Sequence, residues 1–146
     1  MDASMRWHDS PNGLNMSISL PWWHPDQFSG KQTSLAVRQA MLRATRAFFE
    51  AHNFAEVETP CLQVSPGLEA HLHAFGTILN SPRSDEAPLP RFLHTSPEFT
   101  MKKLLVAGLP KIWQLAHVFR NNERSATHHP EFMMLEWYRA HAGYHD

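Results

Sequence analysis

The chain has 146 residues, 42% of them hydrophobic, and a formal net charge of −1; this length allows one core, and the balance of charge excludes the basic excess of a protein that coats nucleic acid. The single cysteine, Cys61, excludes an intrachain disulfide framework, and neither a secretory signal nor an apolar run of the roughly 20 residues that span a membrane is visible. These features predict a cytoplasmic globular protein without a membrane partner.

Residues 1–33 are predicted to form an irregular extension, because prolines and glycines interrupt any periodic pattern. Over 34–52, apolar side chains recur at helical spacing and predict a helix: Val37, Met41, Ala44 and Phe48. The methionine and phenylalanine side chains of this segment are expected in the core, although the face from Met41 to Phe48 is apolar enough to serve a partner. The alternating segment 54–59 predicts a strand that Pro60 ends.

Two strands and a second helix are predicted next. The strands cover 75–79 and 91–95. The helix starts at Ser96-Pro97-Glu98, where a hydroxyl, a proline in the first turn and an acid near the positive end of the helix dipole coincide, and it ends before Gly108. Direct strand-to-strand connections favour an α+β fold with an antiparallel sheet flanked by helices.

The last predicted strand pair, 111–119 and 131–138, is the most informative part of the sequence. Alternate side chains of a strand lie on opposite faces. One face therefore carries an aromatic ring, a carboxylate and a phenol, from Phe132, Met134, Glu136 and Tyr138. The other face is apolar and is expected in the core: Met133, Leu135 and Trp137. Parity with Gln114, Ala116 and Val118 places Arg120 at the mouth of the first face if the strands pair.

This face has the side chains for a nucleotide phosphate at one end and an amine at the other. An arginine fork fits phosphate oxygens, an exposed Phe132 can stack on a purine, and a carboxylate with a phenol can hold an ammonium group. Two alternatives stay open: a solvated face with a weak Arg120–Glu136 ion pair, and Ser96-Pro97-Glu98 as a helix cap without a ligand. The histidines lack metal-ligand spacing, so no metal site is predicted.

Three segments resemble a known family. Phe54-Ala-Glu-Val-Glu-Thr-Pro60 resembles motif 1 of the class II aminoacyl-tRNA synthetases, and Val118-Phe-Arg-Asn-Asn-Glu-Arg124 with His128-His-Pro-Glu-Phe-Met-Met-Leu-Glu-Trp-Tyr138 resembles motif 2 of the lysine-type subgroup. The segment Leu93-His-Thr-Ser-Pro-Glu-Phe-Thr-Met-Lys-Lys-Leu-Leu105 matches the region between them. Over residues 34–140 the chain is similar to the elongation factor P lysine ligases, paralogues of the lysyl-tRNA synthetases.

The resemblance implies an ATP- and Mg²⁺-dependent ligase. It activates lysine or (R)-β-lysine as an adenylate, transfers it to a lysine of elongation factor P, and forms a homodimer through the motif 1 helix. Arg120 is the implied catalytic residue on the ATP α-phosphate, and Phe132 would stack on adenine. The other implied ATP-binding residues are Asn121, Asn122, Glu123, His128 and His129. The amino-acid pocket is implied at Ser96, Pro97, Glu98, Glu136 and Tyr138.

Some features depart from the family pattern. Asn122 stands where glutamate is usual, with Glu123 following, and His129 stands where asparagine is common. Motif 3, with its arginine for the γ-phosphate, is not found before Asp146. We therefore expect residues 34–146 to be the N-terminal part of a catalytic domain, truncated before motif 3 and unable to form adenylate alone.

The reaction partner follows from the short N-terminal segment. About 33 residues before the first helix are too few for an anticodon-binding domain. This favours a protein acceptor and makes binding to tRNA an unfavoured expectation. A lysine–tRNA ligase fragment and a truncated paralogue without activity are the alternatives.

Overall fold

The computed structural model describes residues 20–83 and 85–143. The chain divides into two units, Met1–Met41 and Leu42–Asp146, which are described separately. The described helices and strands are α1 (Pro25–Ser29), α2 (Gln32–Ala51), β1 (Ala55–Glu56), β2 (Leu62–Gln63), β3 (Phe75–Leu79), β4 (Leu89–Leu93), α3 (Glu98–Val106), β5 (Lys111–Phe119) and β6 (Glu131–Arg139). None of the described helices is both long and apolar enough to cross a bilayer.

The first unit contains a short helix that the sequence patterns did not predict. The imidazole of His24 accepts a hydrogen bond from the Asp26 amide at 3.4 Å, and Pro25 stands at the first helical position of α1, where its missing N–H costs nothing. Helix α2 begins at Gln32, two residues before the predicted start. The prediction of an irregular extension falls partly on residues 1–19, outside the described residues, and the domain division at residue 33 stays a prediction.

The second unit contains two three-stranded sheets, ordered β1-β5-β6 and β2-β4-β3. The predicted α+β class is confirmed, with one local difference: β1 pairs with β5 in parallel, through Ala55 and Ile112. A parallel pair needs a long connection, and here the second sheet and α3 lie between the two strands in sequence. The two-residue strand β2 was not predicted, because its pairing with β4 is fixed by tertiary contact rather than by local alternation.

The end of β4 joins the second sheet to the first. The His94 amide donates to the carbonyl oxygen of Cys61 at 2.9 Å, and its carbonyl accepts from the Phe119 amide at 3.1 Å. The buried His94 ring lies with Nε2 2.8 Å from the carbonyl oxygen of His117, which agrees with a packed core histidine. These contacts bring the start of α3, which follows His94 closely, beside the end of β5 and the start of β6.

The core is centred on β5, where Ile112, Trp113 and Val118 are buried. The Phe49 ring of α2 stacks on Trp113 with centroids 4.7 Å apart. Phe49 is the buried residue that α2 contributes among the described residues.

Two core predictions were wrong. Met41 and Phe48 of α2 are 65% and 56% exposed, and Leu135 and Trp137 of β6 are 37% and 57% exposed. An apolar pattern marks a side that avoids water, but it does not say whether the same chain covers that side. Here Phe49 covers Trp113 and leaves Leu135 and Trp137 of β6 open to solvent.

Candidate active site

The β5–β6 pair builds the face on which the candidate site lies. In its register Gln114 is opposite Glu136, and Val118 is opposite Phe132. Directly opposed residues of antiparallel strands share a face, so the two strands present the side chains that the parity argument placed together. Phe132, Glu136 and Tyr138 are all half-buried, which leaves part of each side chain accessible to a ligand.

Arg120 stands at the outer end of this face. Its amide donates to the carbonyl oxygen of Pro130 at 2.8 Å, and its Nε lies 3.4 Å from the carbonyl oxygen of Thr95. The guanidinium carbon lies 5.3 Å from the centroid of the Phe132 ring. Among residues 20–83 and 85–143, Arg120 forms no ion pair with a carboxylate, so the alternative pairing with Glu136 is not observed. The charge of Arg120 is therefore open to a ligand anion.

A cavity of about 770 Å³ opens beside Arg120. It is lined by most of the residues predicted to bind ATP: Arg120, Asn122, Glu123, His128, His129 and Phe132. The remaining one, Asn121, does not line it; its amide donates to the carbonyl oxygen of His73 at 2.6 Å, and its Oδ1 accepts from the Asn122 amide at 2.9 Å. Asn121 thus anchors the start of the loop.

Three further residues of the loop line the same cavity: Arg124, Ser125 and Thr127. The hydroxyl side chains of Ser125 and Thr127 were missed as candidates because serine and threonine in a polar loop form no distinctive pattern. Their closeness to His128 in the sequence was the available signal. The Ser125 hydroxyl lies 2.8 Å from Nδ1 of His128, and the Ser125 amide donates to the His128 carbonyl at 3.2 Å. These bonds close the loop into a compact turn.

The departure at Asn122 has a conformational basis. Asn122 adopts φ +65°, a left-handed conformation that asparagine tolerates better than most side chains. The following Glu123 supplies a carboxylate to the cavity wall. At His129, Nδ1 lies 2.8 Å from the carbonyl oxygen of Glu131, which holds that ring at the start of β6.

A second polar cluster lies further along the same face. The Ser96 hydroxyl donates to Oε1 of Glu136 and accepts from the Glu98 amide at 3.0 Å, and the Tyr138 hydroxyl donates to Oε2 of Glu136 at 2.9 Å. Ser96 therefore contacts both the start of α3 and the site carboxylate. Burial raises the pKa of the Tyr138 phenol, and its hydrogen bond to Glu136 and the nearby negative charges of Glu136 and Glu98 raise it further.

The start of α3 places Glu98 next to this cluster. Glu98, Glu136 and Tyr138 line one cavity of about 270 Å³ together with Leu135 and Trp137. Pro97 is fully buried, so it shapes the turn and presents no surface to a ligand.

Lys102, one turn along α3, was missed as a candidate. Its ammonium contacts Oε1 of Glu98. The four-residue spacing of these two side chains was the signal for that pair.

The two clusters differ in charge. Arg120 and Arg124 face the larger cavity, and Glu98 and Glu136 face the smaller one. Such an arrangement suits a ligand pair that is anionic at one end and cationic at the other. Among the described residues no group of three histidine, cysteine, aspartate or glutamate side chains stands ready to hold a metal ion by itself.

Comparison with known proteins identifies the family. Residues 27–146 match the family model described as tRNA synthetases class II (D, K and N). The chain belongs to this family. The match includes every residue of both clusters.

Similar curated proteins carry the name elongation factor P–(R)-β-lysine ligase. The protein of Pseudoalteromonas translucida is 45% identical over 124 residues, which are 85% of this chain and 36% of that relative. The protein of Pasteurella multocida is 43% identical over 119 residues, 82% of this chain and 36% of the relative. The protein of Histophilus somni is 41% identical over 130 residues, 89% and 39% of the two chains. The chain thus spans less than two fifths of the length of these relatives.

Proposed function

We propose that this chain carries the ATP and amino-acid sites of a ligase that activates lysine or (R)-β-lysine and transfers it to a lysine of elongation factor P. The observation that carries the proposal is the shared face of β5 and β6, with Arg120 and Phe132 at one end and Glu136 and Tyr138 at the other. The names of the relatives supply the acceptor protein.

In the proposed first step the amino-acid carboxylate attacks the α-phosphorus of ATP. A new P–O bond forms, the bond to the β-phosphate oxygen breaks, and pyrophosphate leaves. Arg120 would neutralise negative charge on the α-phosphate, Phe132 would stack on adenine, and Arg124 would face the outer phosphates. The acceleration comes from positioning and fixed charge, and no protein nucleophile is needed.

In the proposed second step the amine of an acceptor lysine attacks the carbonyl carbon of the adenylate. A C–N bond forms, AMP leaves with the former carboxylate oxygen, and the amine loses a proton. The substrate ammonium groups would lie against Glu98 and Glu136. A substrate without the second amine leaves a half-buried carboxylate without its ligand partner, which is a strong basis for discrimination.

The Mg²⁺ ion that the family implies fits the donor set of the larger cavity. Magnesium in nucleotide sites takes one or two carboxylates, with phosphate and water oxygens completing its shell, and Glu123 lines this cavity. Glu123 would supply the protein ligand, and the ion would offset phosphate charge. His128 and His129, which line the same cavity, would lie near the phosphates.

We also propose a homodimer that forms through α2. Val37 and Phe48 of this helix are 54% and 56% exposed, and large apolar side chains exposed along a helix are typical of an interface. The proposed reaction belongs in the cytoplasm, where translation takes place, and the net charge of −1 favours a protein acceptor over tRNA.

The proposal is tested by ATP–pyrophosphate exchange in the protein that carries this chain, with (R)-β-lysine, lysine and norleucine as substrates. We expect exchange with the diamino acids and little with norleucine, and Glu136→Gln should remove most of the difference. The control is Glu131→Gln, which removes an exposed carboxylate paired with His117 on the opposite face and should leave exchange unchanged.

The acceptor is tested in the same preparation by offering elongation factor P and lysine tRNA separately. Transfer to the protein supports the proposal. Transfer to tRNA alone would assign the chain to a lysine–tRNA ligase, and exchange that ignores the second amine would overturn the assignment of Glu98 and Glu136.

A further inference from the structure

A second concave site lies on the opposite face of the β5–β6 pair, at its other end. Lys111 is the first residue of β5 and Arg139 the last of β6, whereas Arg120 follows the far end of β5. A nine-residue strand is roughly 30 Å long. By strand alternation, Lys111 and Arg139 lie on the face of Trp137 and not on that of Glu136. This site therefore lies far from Arg120, although Tyr138 lines it too and Trp137 also lines the smaller cavity of Glu98 and Glu136.

The site is a cavity of about 380 Å³ that combines cationic and aromatic side chains. The side chains that matter here are His52, Phe54, Lys111, Trp137 and Arg139. None of the described residues that line it is acidic. We call it the basic–aromatic cavity.

Two cations stand directly opposite each other in this cavity, because Lys111 pairs with Arg139 in the strand register. Like charges in directly opposed positions destabilise a sheet. Neither forms an ion pair with a carboxylate among the described residues. Such an uncompensated pair is a cost to the free protein that an anion bound between the two side chains would remove.

Lys111 has a structural role that Arg139 does not share. Its ammonium donates to the carbonyl oxygen of His52 at 3.3 Å, just past the end of α2, and lies 5.5 Å from the Phe54 ring centroid. A cation is favourable at a helix C-terminus, and one cation meets that need. The contact with the end of α2 accounts for Lys111 but not for Arg139, so the charge of Arg139 is the one that indicates a ligand.

We propose that the basic–aromatic cavity binds the phosphate group of a nucleotide. Lys111 and Arg139 would hold the phosphate oxygens, for which arginine provides a matching fork. Trp137 is 57% exposed and would pack against the base, since an exposed indole ring can stack on any nucleobase. The combination of cations and aromatic rings distinguishes a nucleotide from free phosphate, which would use the cations alone.

The test follows the indole N–H signal of Trp137 by NMR, assigned with W137F, during titration of the chain with AMP, inorganic phosphate or adenosine. Trp137 also lines the smaller cavity of Glu98 and Glu136, so the effect of removing Lys111 and Arg139 assigns the shift to the basic–aromatic cavity. We expect a saturable shift with AMP, a weaker effect of inorganic phosphate and none with adenosine. The variant K111Q/R139Q should weaken AMP binding about tenfold or more, because both charge-assisted contacts are lost.

The control R91Q/K103Q removes the same charge elsewhere, and it should bind AMP as the unaltered chain does. If K111Q/R139Q does not fold, R139Q alone serves, because Lys111 then keeps its bond to the end of α2. The proposal is overturned if AMP leaves the Trp137 signal unmoved at millimolar concentration, if adenosine shifts it equally, or if the control weakens binding as much as the double variant.

Discussion

Glu136 is the residue on which the chemistry of the smaller cavity depends. Its two oxygens accept hydrogen bonds from Ser96 and Tyr138, which fix the carboxylate in place. An ionised carboxylate has about four acceptor positions, so two hydroxyl donors leave room for an ammonium group.

Tyr138 supplies a pH test of this arrangement. Burial first, then the bond to Glu136, raises its pKa above the ordinary value of 10.0. The chain has two tyrosines, so Y144F leaves Tyr138 as the single one. Its phenolate absorbance should develop at higher pH in the folded protein than in denaturant.

The sign of the effect on stability follows from linkage. A pKa raised by folding means that the unfolded chain loses the proton first as pH rises. The stability from Tyr138 is therefore complete below pH 10 and declines above it. Y144F/E136Q should bring the titration back toward that of the denatured chain. Coincident titrations of folded and denatured Y144F would refute this view of Tyr138.

At the scale of elements, the β5–β6 pair and α3 were accessible to prediction from sequence. The pattern predicted β5 and β3 with the bounds observed, and parity placed Phe132, Glu136 and Tyr138 on one face because strand alternation is local. The parallel pairing of β1 and the two-residue strand β2 depend on contacts in the folded chain that the local sequence pattern does not show. The exposure of Trp137 also depends on such contacts, because a sequence pattern does not show which residues of the folded chain pack nearby.

The contrast between two paired tryptophans tests the packing of this element. Trp113 and Trp137 are opposed in the register, yet Trp113 is 2% exposed and stacked on Phe49, whereas Trp137 is open. Trp113→Ala should lower the free energy of unfolding by about 3–5 kcal/mol, as buried aromatic truncations do. Trp137→Ala should cost about 1 kcal/mol or less.

Urea unfolding followed by circular dichroism measures both changes. Equal losses of stability in the two variants would show that Trp137 is buried as well as Trp113.

At the scale of the whole molecule, the exposed apolar side chains of α2 bear on assembly. The proposed dimer predicts that Phe48→Glu shifts the chain toward monomer in sedimentation equilibrium, because a charge at an apolar interface is costly to bury. Val106→Glu is the matched control, since Val106 is 90% exposed on another helix. A monomeric unaltered chain, or equal dissociation by both variants, would count against dimerisation through α2.

The most direct test of the proposed nucleotide site is ATP binding by the chain, measured by calorimetry for the unaltered protein and for Arg120→Ala, Phe132→Ala and the control Arg91→Ala. We expect loss of Arg120 or Phe132 to weaken binding about tenfold or more, because a charge-assisted phosphate contact or a stacking contact is lost, while Arg91→Ala binds normally. ATP affinity unchanged by both substitutions would contradict the placement of the nucleotide beside Arg120.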